Sequence, residues 1–358
     1  MVGCALSATI VASGPGRAFG QTVLSVSPDT AMNRLFTTYG NSSTGREWTG
    51  GDGTSSVLLP DGTETWWFDD TFLGKVNAKG LRVRSRTPYI HNSVVLETNG
   101  ALTRTLYGSA TRHPTAWLNP VPKKPIPYGF WPFSEVVSSG VVYVSMEKIQ
   151  LKKFGETINL MGTWIAAVNA TTLQTESVRP VTSTRGINWS QELLSDGPWT
   201  YVYGEDGSHV YVARAPADEV AVQAQWTYYD GAGWATREAG AVPVMNHASP
   251  PFEGDFDVTE VGGDILALTM TGGQIEVGTA PDPWGPFGGF ATVYHTPEQS
   301  AYPRSYEIAT YGIEAHPELS APNTLVVSYN VNGQASKAQV AHANVYRPRF
   351  LELTLASG

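Results

Sequence analysis

The feature that most constrains the fold of this chain is a pair of short apolar runs separated by a turn signal, which recurs five times. The turn centres lie near positions 61, 139, 196, 263 and 322, at intervals of 78, 57, 67 and 59 residues. In each pair, residues suited to strands flank Gly, Pro, Asn, Asp or Ser, a pattern typical of a β-hairpin. The five hairpins span residues 55–68, 133–149, 190–204, 257–270 and 318–330.

Five hairpins at these intervals predict an all-β fold, and more specifically a five-bladed β-propeller, because each interval has room for a four-stranded sheet. A double β-sandwich with the same hairpins is the structural alternative. Charged residues make up only 15% of the chain, and no run of more than about two turns shows helical periodicity. In a propeller, the innermost strand of each blade brings its first residues to one mouth of a central channel.

Residues 21–358 are predicted to form a single five-bladed domain, which is closed where a strand within 345–355 pairs with residues 21–39. Residues 1–20 are predicted to be a flexible segment. Cys4 in this segment is best explained as an incidental small residue, and the remnant of a signal or lipoprotein sequence is the alternative. The apolar run 2–11 is too short to span a bilayer, so no membrane span is expected. A secreted, periplasmic or cell-surface location is a separate expectation, which the lipoprotein interpretation of Cys4 would support.

The charge and the residue composition restrict the partners of the protein. A formal net charge of -9 argues against nucleic acid, because binding phosphates requires clustered Lys and Arg. The 11 Trp and 16 Tyr residues suit sugar stacking, although most aromatic residues of any protein pack in its core. A monomer that binds a polysaccharide is therefore expected.

The sequence predicts no cofactor and no metal site. The single cysteine permits neither an intrachain disulfide nor a cysteine metal site, and the seven histidines show no close ligand spacing. The sequence leaves open whether the channel holds a structural calcium ion, because oxygen ligands scattered along a chain leave no sequence pattern. There is no GxSxG motif, which weighs against a serine hydrolase of the α/β type.

Two aspartates near the first hairpin are the candidate catalytic residues. If the turn centres on Asp61, paired positions sum to 122, and Asp52 lies opposite Asp70 with Cα atoms roughly 4.5–5.5 Å apart. Two carboxylates at this position suit glycoside hydrolysis, in which one protonates the leaving oxygen and the other activates water or attacks the sugar. Asp69 is expected on the opposite face, and Gly50, Gly51 and Gly53 are expected to let a substrate approach. The alternative is that Asp52 only caps a turn.

Other polar and aromatic residues near the starts of the predicted blades are candidates for substrate binding, although a structural role is as consistent with the sequence for each histidine. They are His91, Asn92, Trp131, Trp189, Glu314 and His316.

The sequence also resembles a known family in an ordered set of short motifs. These motifs run from about Gly50 to Phe350 and include GGDGTSSVLLPDG, WWFDDTFLG, YIHNSVV, GFWPF, WTYVYG, EAHPEL and YRPRF. The set is similar to the bacterial five-bladed propellers of glycoside hydrolase family 183, which were long catalogued as a domain of unknown function. One departure is Asp69, which stands where that family usually has Gly before the second aspartate.

The resemblance implies an endo-D-arabinanase that cleaves the α-D-arabinofuranosidic linkages of mycobacterial arabinogalactan and lipoarabinomannan. It implies that Asp52 and Asp70 are the catalytic pair and that the configuration is inverted. We hypothesise Asp52 as the base and Asp70 as the acid, and the residues leave the opposite assignment open. The competing interpretations are a non-catalytic carbohydrate-binding propeller and a glycosidase acting on another furanoside, such as L-arabinan or a fructan.

Overall fold

The structure, a computed structural model, describes residues 23–42, 45–83, 87–109, 113–119, 128–150, 159–246, 256–333 and 336–356. The predicted N-terminal segment 1–20, including Cys4, lies outside the described residues. Within the described part of the chain, strands predominate, as the composition predicts.

The elements are as follows in chain order. The first ten strands and the first helix are β1 (Val23–Pro28), α1 (Thr30–Ser42), β2 (Glu47–Gly51), β3 (Ser55–Leu58), β4 (Glu64–Phe68), β5 (Thr71–Gly74), β6 (Tyr89–Ile90), β7 (Ser93–Thr98), β8 (Ala101–Leu106), β9 (Tyr128–Ser138) and β10 (Val141–Gln150). The next eight are β11 (Asn159–Asn169), β12 (Thr175–Val181), β13 (Asn188–Asp196), β14 (Trp199–Glu205), β15 (His209–Pro216), β16 (Thr227–Tyr229), β17 (Trp234–Ala235) and β18 (Met245–Asn246). The last are β19 (Phe256–Val261), β20 (Asp264–Thr271), β21 (Gln274–Ala280), β22 (Gly288–His295), α2 (Glu298–Ala301), β23 (Ile308–His316), β24 (Thr324–Gly333), α3 (Ser336–Ala341) and β25 (Arg349–Leu355).

These strands form several antiparallel sheets. Four of the sheets have four strands each, in the orders β3-β4-β7-β8, β12-β11-β10-β9, β19-β20-β21-β22 and β1-β25-β24-β23. A larger sheet has the order β13-β14-β15-β16-β17, with β18 also paired to β15, and a small sheet has the order β2-β5-β6. The prediction of an all-β protein is confirmed.

One edge strand from each of the five larger sheets lies at the centre of the protein. These strands contact one another in the sequence β3, β9, β13, β19 and β23, and β23 contacts β3 again, so the contacts form a ring. All five strands line one cavity of about 260 Å³. The central cavity, as we call it below, is therefore built by strands that are distant along the chain.

The two ends of the chain meet in one sheet, as predicted. Val26 of β1 pairs with Leu353 of β25, so the first described strand completes the sheet that the last strands begin. This pairing covers the outer edge of β25, which would otherwise expose unpaired backbone groups. The segment 21–39 does not all form strand, however, because α1 begins at Thr30.

Helix α1 was not predicted from the sequence. Asp29 caps its N-terminus, because its Oδ1 atom accepts hydrogen bonds from the backbone N–H groups of Ala31 and Met32 at 2.9 and 3.0 Å. Its apolar face is narrow and centres on Phe36, which stacks on Phe350 with ring centroids 4.9 Å apart. A face this narrow on a 13-residue helix gives a weak periodic signal, and tertiary packing stabilises the helix instead.

Of the last two predicted hairpins, the first has its turn close to the predicted position, and the second has its first strand misplaced for a local reason. The turn predicted at Gly262-Gly263-Asp264 is one residue shorter in the structure, because Val261 pairs with Asp264 and leaves Gly262 and Gly263 as the turn. The first strand of the last hairpin was placed at residues 318–321 and is in fact β23, which ends at His316. Pro317 follows and begins a 3-10 turn, since proline has no N–H to continue the strand pairing.

Candidate active site

Asp52 and Asp70 lie opposite each other at a junction between two sheets. The β3–β4 pairing has Ser55 opposite Trp67, and the β2–β5 pairing has Gly51 opposite Thr71. Both pairs keep the predicted sum of 122. Between them the chain bends, and the backbone N–H of Asp52 donates to the carbonyl oxygen of Asp70 at 3.4 Å. The two aspartates therefore lie side by side at the bend between the two paired regions, and not at the end of a single hairpin.

The Asp70 carboxylate is surrounded by hydrogen-bond donors. The Tyr89 hydroxyl donates to Oδ2 at 2.5 Å, and the Trp131 indole N–H donates to Oδ1 at 3.2 Å. Nδ1 of His91 lies 2.8 Å from Oδ1 and donates to it when that nitrogen carries the proton. Asp70 is only 7% exposed, so these donors replace the water that would otherwise stabilise its charge.

Asp52 has a different environment. Its Oδ2 atom accepts one hydrogen bond, from the Tyr311 hydroxyl at 2.5 Å, and its Oδ1 atom is buried without a partner among the described residues. Burial and the negative charge of Asp70 raise the pKa of Asp52 to about 7, and the hydroxyls of Tyr311 and Tyr346 lower it only in part. A neutral Asp52 beside a charged Asp70 is the arrangement expected when one proton is shared by two close carboxyl groups.

The glycines near Asp52 have a different role from the predicted one. A Cβ atom at Gly50 would lie 1.9 Å from a guanidinium nitrogen of Arg82 and 2.0 Å from the carbonyl oxygen of Tyr346. At Gly53, whose φ is +62°, it would lie 2.6 Å from the Asp69 carboxyl carbon. These glycines therefore leave space for side chains and backbone of the protein itself. Those groups pack closely against the segment that carries Asp52.

Two buried arginines support the backbone behind the aspartates. Arg82 and Arg347 are 2% and 1% exposed, and each donates to the carbonyl oxygen of Thr49, at 2.7 and 2.8 Å. Arg82 also donates to the carbonyl oxygen of Ala343 at 2.9 Å. Buried charges that bind backbone carbonyls hold those segments in one geometry, and here they join β2 to the turn before β25.

Of the residues proposed to bind substrate, His91 and Trp131 contact the aspartate pair, because each lies within hydrogen-bond distance of Asp70. Asn92 follows His91 in the chain, but it is only 2% exposed and its side chain forms hydrogen bonds with backbone groups. Its side-chain N–H₂ donates to the carbonyls of Leu118 and Phe130 at 2.8 and 2.9 Å, and its Oδ1 accepts from the Leu118 N–H at 2.7 Å. Asn92 positions the chain around the site and does not reach a ligand.

Trp189 and His316 are core residues. Trp189 is 0% exposed and its indole N–H donates to Glu238 at 2.8 Å. His316 is also 0% exposed, lies between the Ser56 and Ser328 hydroxyls at 2.6 and 2.9 Å, and burial lowers its pKa to about 3. His316 therefore stays neutral, and neither residue contacts the aspartate pair.

Glu314 lines the central cavity rather than the aspartate pair. One of its carboxylate oxygens lies within 4.8 Å of carboxylate oxygens of Glu192 and Asp257. Glu314 lies on β23, and this strand does contact the aspartate pair, because the Tyr311 hydroxyl on it donates to Asp52. This separation between two groups of acids was not visible in the sequence.

Sequence reasoning missed three tyrosines. Tyr89, Tyr311 and Tyr346 all act on the carboxyl pair, although Tyr89 lies more than 200 residues before the other two in the chain. Tyr89 lies two residues before His91, a spacing that puts both side chains on one face of an extended segment, and this is the one local signal that was available.

A larger cavity of about 710 Å³ lies elsewhere, between β1 and strands β21 and β22. The residues that line it are apolar or small and none is titratable; among them are Val23, Val277, Phe287 and Val293. Its described lining offers the hydroxyls of Ser25, Thr279 and Thr292 but no acid or base to act with them, so size alone does not make it the candidate site.

The fold and the site together define an all-β protein with several antiparallel sheets and a carboxyl pair at a sheet junction, in which Asp70 is buried and Asp52 is half-buried. The chain belongs to the family described as domain of unknown function DUF5005, whose model matches residues 31–354. No curated protein matches the sequence.

Among solved structures, the chain is similar to a protein of Bacteroides ovatus provisionally described as a hydrolase, with a TM-score of 0.74 and 21% identity over 92% of this chain and 90% of that one. This likeness shows a shared fold. A family 43 arabinoxylan arabinofuranohydrolase of Bacillus subtilis matches with a TM-score of 0.47 and 13% identity, over 89% of this chain and 68% of that one. The family 43 protein BlXynB of Bacillus licheniformis matches with a TM-score of 0.45 and 8% identity, over 86% and 51%. TM-scores below 0.5 carry no argument about this chain.

None of the described helices is both long and apolar enough to cross a membrane.

Proposed function

We propose that this protein is a glycoside hydrolase, an endo-D-arabinanase that uses Asp70 as its base and Asp52 as its acid. The observation that carries the proposal is the contrast between two adjacent carboxyl groups. Asp70 accepts hydrogen bonds from up to three donors, whereas Asp52 accepts one and has its pKa raised to about 7. A carboxylate beside a carboxylic acid is what glycoside hydrolysis requires.

The fold we propose is a five-bladed propeller formed by the five larger sheets. The ring of contacts among β3, β9, β13, β19 and β23 and their shared cavity support it. In this arrangement the small sheet β2-β5-β6 extends the first blade and places the carboxyl pair beyond its inner strand. Propellers commonly bind ligands at such a mouth.

The assignment of acid and base reverses our initial hypothesis. Hydrogen bonds donated to a carboxylate stabilise its charged form, and Asp70 has more such donors than Asp52, so we assign it the role of base. Three of its roughly four acceptor positions are used, which leaves one on Oδ2 for a water molecule. In neutral Asp52, Oδ2 accepts from Tyr311, so Oδ1 carries the proton.

The reaction then follows in one displacement. Asp70 takes a proton from water as the water oxygen attacks the anomeric carbon of the arabinofuranose. The bond between that carbon and the glycosidic oxygen breaks, and Asp52 gives its proton to the departing oxygen. Asp70 ends protonated and Asp52 ionised, and proton exchange with solvent restores both. The attack of water from the opposite face inverts the configuration, as the family resemblance implies.

The choice of D-arabinan as substrate rests on the sequence resemblance to family 183. The net charge of -9 is compatible with a neutral polysaccharide. The provisional description of the Bacteroides ovatus protein agrees with hydrolase chemistry. We further propose that the protein acts as a monomer, secreted or attached to the cell surface, where such polysaccharides lie.

The experiment that tests this function is incubation of the purified protein with mycobacterial arabinogalactan, L-arabinan, a fructan and arabinoxylan, followed by chromatography of the products. We expect a ladder of D-arabinose oligomers from arabinogalactan alone, and early products in the β-anomeric form by proton NMR. Release of monomers only would contradict endo action, and α-anomers would contradict inversion.

Other outcomes separate the alternatives. Cleavage of L-arabinan or fructan would keep the mechanism and replace the substrate. Binding to arabinogalactan by gel-shift electrophoresis, with no product from any polysaccharide, would favour a carbohydrate-binding protein and contradict the proposal.

The alkaline limit of activity is expected near pH 7, because Asp52 must be protonated and its pKa is about 7. The Tyr311 hydroxyl stabilises the charged form of Asp52, so Tyr311→Phe is expected to raise that pKa and move the alkaline limit upward by about one pH unit. The measurement is the pH profile of kcat/KM for both proteins. Tyr143→Phe, which removes a hydroxyl bonded to the Asp218 carbonyl, should leave the limit unchanged. A downward shift in Tyr311→Phe would contradict the assignment of Asp52 as acid.

A further inference from the structure

The central cavity is unusually acidic for a buried space. The five carboxyl groups that line it are those of Glu135, Glu192, Asp257, Glu314 and Glu318, and its described lining includes no lysine, arginine or histidine. Each of four strands carries one of these acids, Glu135 on β9, Glu192 on β13, Asp257 on β19 and Glu314 on β23, and Glu318 follows β23. Like charges in a space of about 260 Å³ repel one another unless protons or a cation compensate them.

Three of these groups have the spacing of metal ligands. One carboxylate oxygen from each of Glu192, Asp257 and Glu314 lies within 4.8 Å of the others. Neighbouring strands hold two of them in place. Oδ2 of Asp257 accepts from the Ala315 N–H at 2.8 Å, and Oε1 of Glu192 accepts from the Ser134 hydroxyl at 2.5 Å. Three strands therefore present preoriented oxygen atoms to one point.

A second observation concerns oxygen atoms that lack partners. Oδ1 of Asp257 is buried and has no hydrogen-bond partner among the described residues, although Asp257 is only 4% exposed. Glu135, outside the three-residue cluster, lines the same cavity, is 7% exposed, and has neither carboxylate oxygen bonded. Buried polar atoms are nearly always paired, so orphaned oxygens in one cavity indicate a ligand.

We propose that the central cavity binds a divalent cation, with Glu192, Asp257 and Glu314 as its protein ligands and Glu135 as a further carboxyl group in the same cavity. The donors are oxygen atoms only, which suits Ca²⁺ or Mg²⁺ and not Zn²⁺. An oxygen-to-oxygen separation of up to 4.8 Å fits Ca²⁺, whose ligands lie about 2.3–2.6 Å from the ion. Ca²⁺ is therefore the expected ion.

The cation has a structural effect on the aspartate pair rather than a chemical one. Glu314 follows Tyr311 by three residues on β23, and Glu135 follows Trp131 by four on β9. Bulges shorten both spans, because Tyr311 and Glu314 pair with Asn330 and Ser328, and Trp131 and Glu135 pair with Glu147 and Val144. At about 3.3 Å per residue, the cation layer therefore lies roughly 7–10 Å along these strands from the residues that contact the two aspartates. Bound Ca²⁺ joins β13, β19 and β23, and so fixes the strand that carries Tyr311.

The test uses the full-length protein, treated with EGTA and dialysed, and CaCl₂ or MgCl₂ as the probe. We expect saturable heat of binding for one Ca²⁺ per chain by isothermal titration calorimetry, weaker binding of Mg²⁺, and a rise of several degrees in Tm with millimolar Ca²⁺. Asp257→Asn keeps an oxygen that can accept from Ala315 but removes one charge. It should abolish the Ca²⁺-dependent rise in Tm while leaving Tm in EGTA equal or higher, since repulsion is reduced.

The matched control is Glu260→Gln, which removes an exposed acid from the same strand β19 and should keep the full response to Ca²⁺. If Asp257→Asn does not fold, Glu314→Gln provides the same test from β23. Wild-type protein that is folded and shows neither heat nor a change in Tm with either cation would overturn the proposal. An undiminished response in the folded cavity variant would overturn it as well. Because binding and Tm are the readouts, the result is independent of whether the protein hydrolyses arabinan.

Discussion

Replacing Asp70 by Asn is expected to lower the rate of polysaccharide hydrolysis by about a thousandfold, the typical loss when a general base is removed. The amide can keep Oδ1 toward His91 and Trp131 and turn its N–H₂ group toward the Tyr89 oxygen, so the fold should survive. The measurement is kcat/KM on the polysaccharide that the wild-type protein cleaves. Circular dichroism and Tm establish that the variant is folded.

Replacing Asp52 by Asn should cause a similar loss on the polysaccharide but not on a substrate with an activated leaving group. An aryl oligofuranoside whose phenol leaves without protonation bypasses the acid, so Asp52→Asn should retain most of its activity there, whereas Asp70→Asn should not. This contrast separates the acid from the base within the pair.

Asp69→Asn is the matched control, since it removes a neighbouring charge whose carboxyl group packs against Gly53. It should keep activity within about tenfold of wild type, on the scale of a residue that does not touch the reacting atoms. Loss of activity in Asp69→Asn alone, with Asp52→Asn and Asp70→Asn both active, would contradict the proposed pair. The reverse pattern on the aryl substrate would exchange the two roles.

The largest structural effect is expected from Gly50→Ala. Its Cβ atom would lie 2.0 Å from the Tyr346 carbonyl oxygen, a backbone atom that cannot rotate away, and 1.9 Å from the Arg82 guanidinium. Relief would require moving β2 or the segment before β25, both of which the buried arginines hold. We expect a loss of more than about 3 kcal/mol in the free energy of unfolding, beyond typical overpacking costs.

The measurement for this prediction is urea unfolding followed by tryptophan fluorescence. Gly233→Ala is the control, because a Cβ atom at Gly233 meets nothing within 4 Å. It should change the free energy of unfolding by less than about 1 kcal/mol. A Gly50→Ala variant as stable as Gly233→Ala would show that the packing behind Asp52 is looser than the structure describes.

Local patterns sufficed to predict much of the fold. The turn at Asp61-Gly62 and the aromatic strand after it predicted the pairing of Ser55 with Trp67, because turn type and strand period set the register of a hairpin. The same register placed Asp52 opposite Asp70. The pairing of the chain ends was also predictable, since an unpaired edge strand needs a partner.

Other features depended on contacts between distant segments. Helix α1 has a weak periodic signal and is stabilised by Phe36 packing on Phe350. The burial of Trp189 and His316 could not be distinguished from exposure at a ligand site, because a strand shows which residues share a face and not what covers that face. The misplaced last hairpin had a local cause in Pro317, which the pattern of apolar runs did not weigh.

The sequence by itself determined the all-β class, most of the predicted hairpins and the register that places Asp52 opposite Asp70, because these follow from residue preferences and from pairing within one hairpin. Only the tertiary structure decided which tyrosines act on that pair, which acids gather in the central cavity, and which aspartate is suited to hold a proton. Hydrogen-bond donors from distant strands and the loss of water on burial control the pKa of a carboxyl group. Both arise only when segments hundreds of residues apart come together.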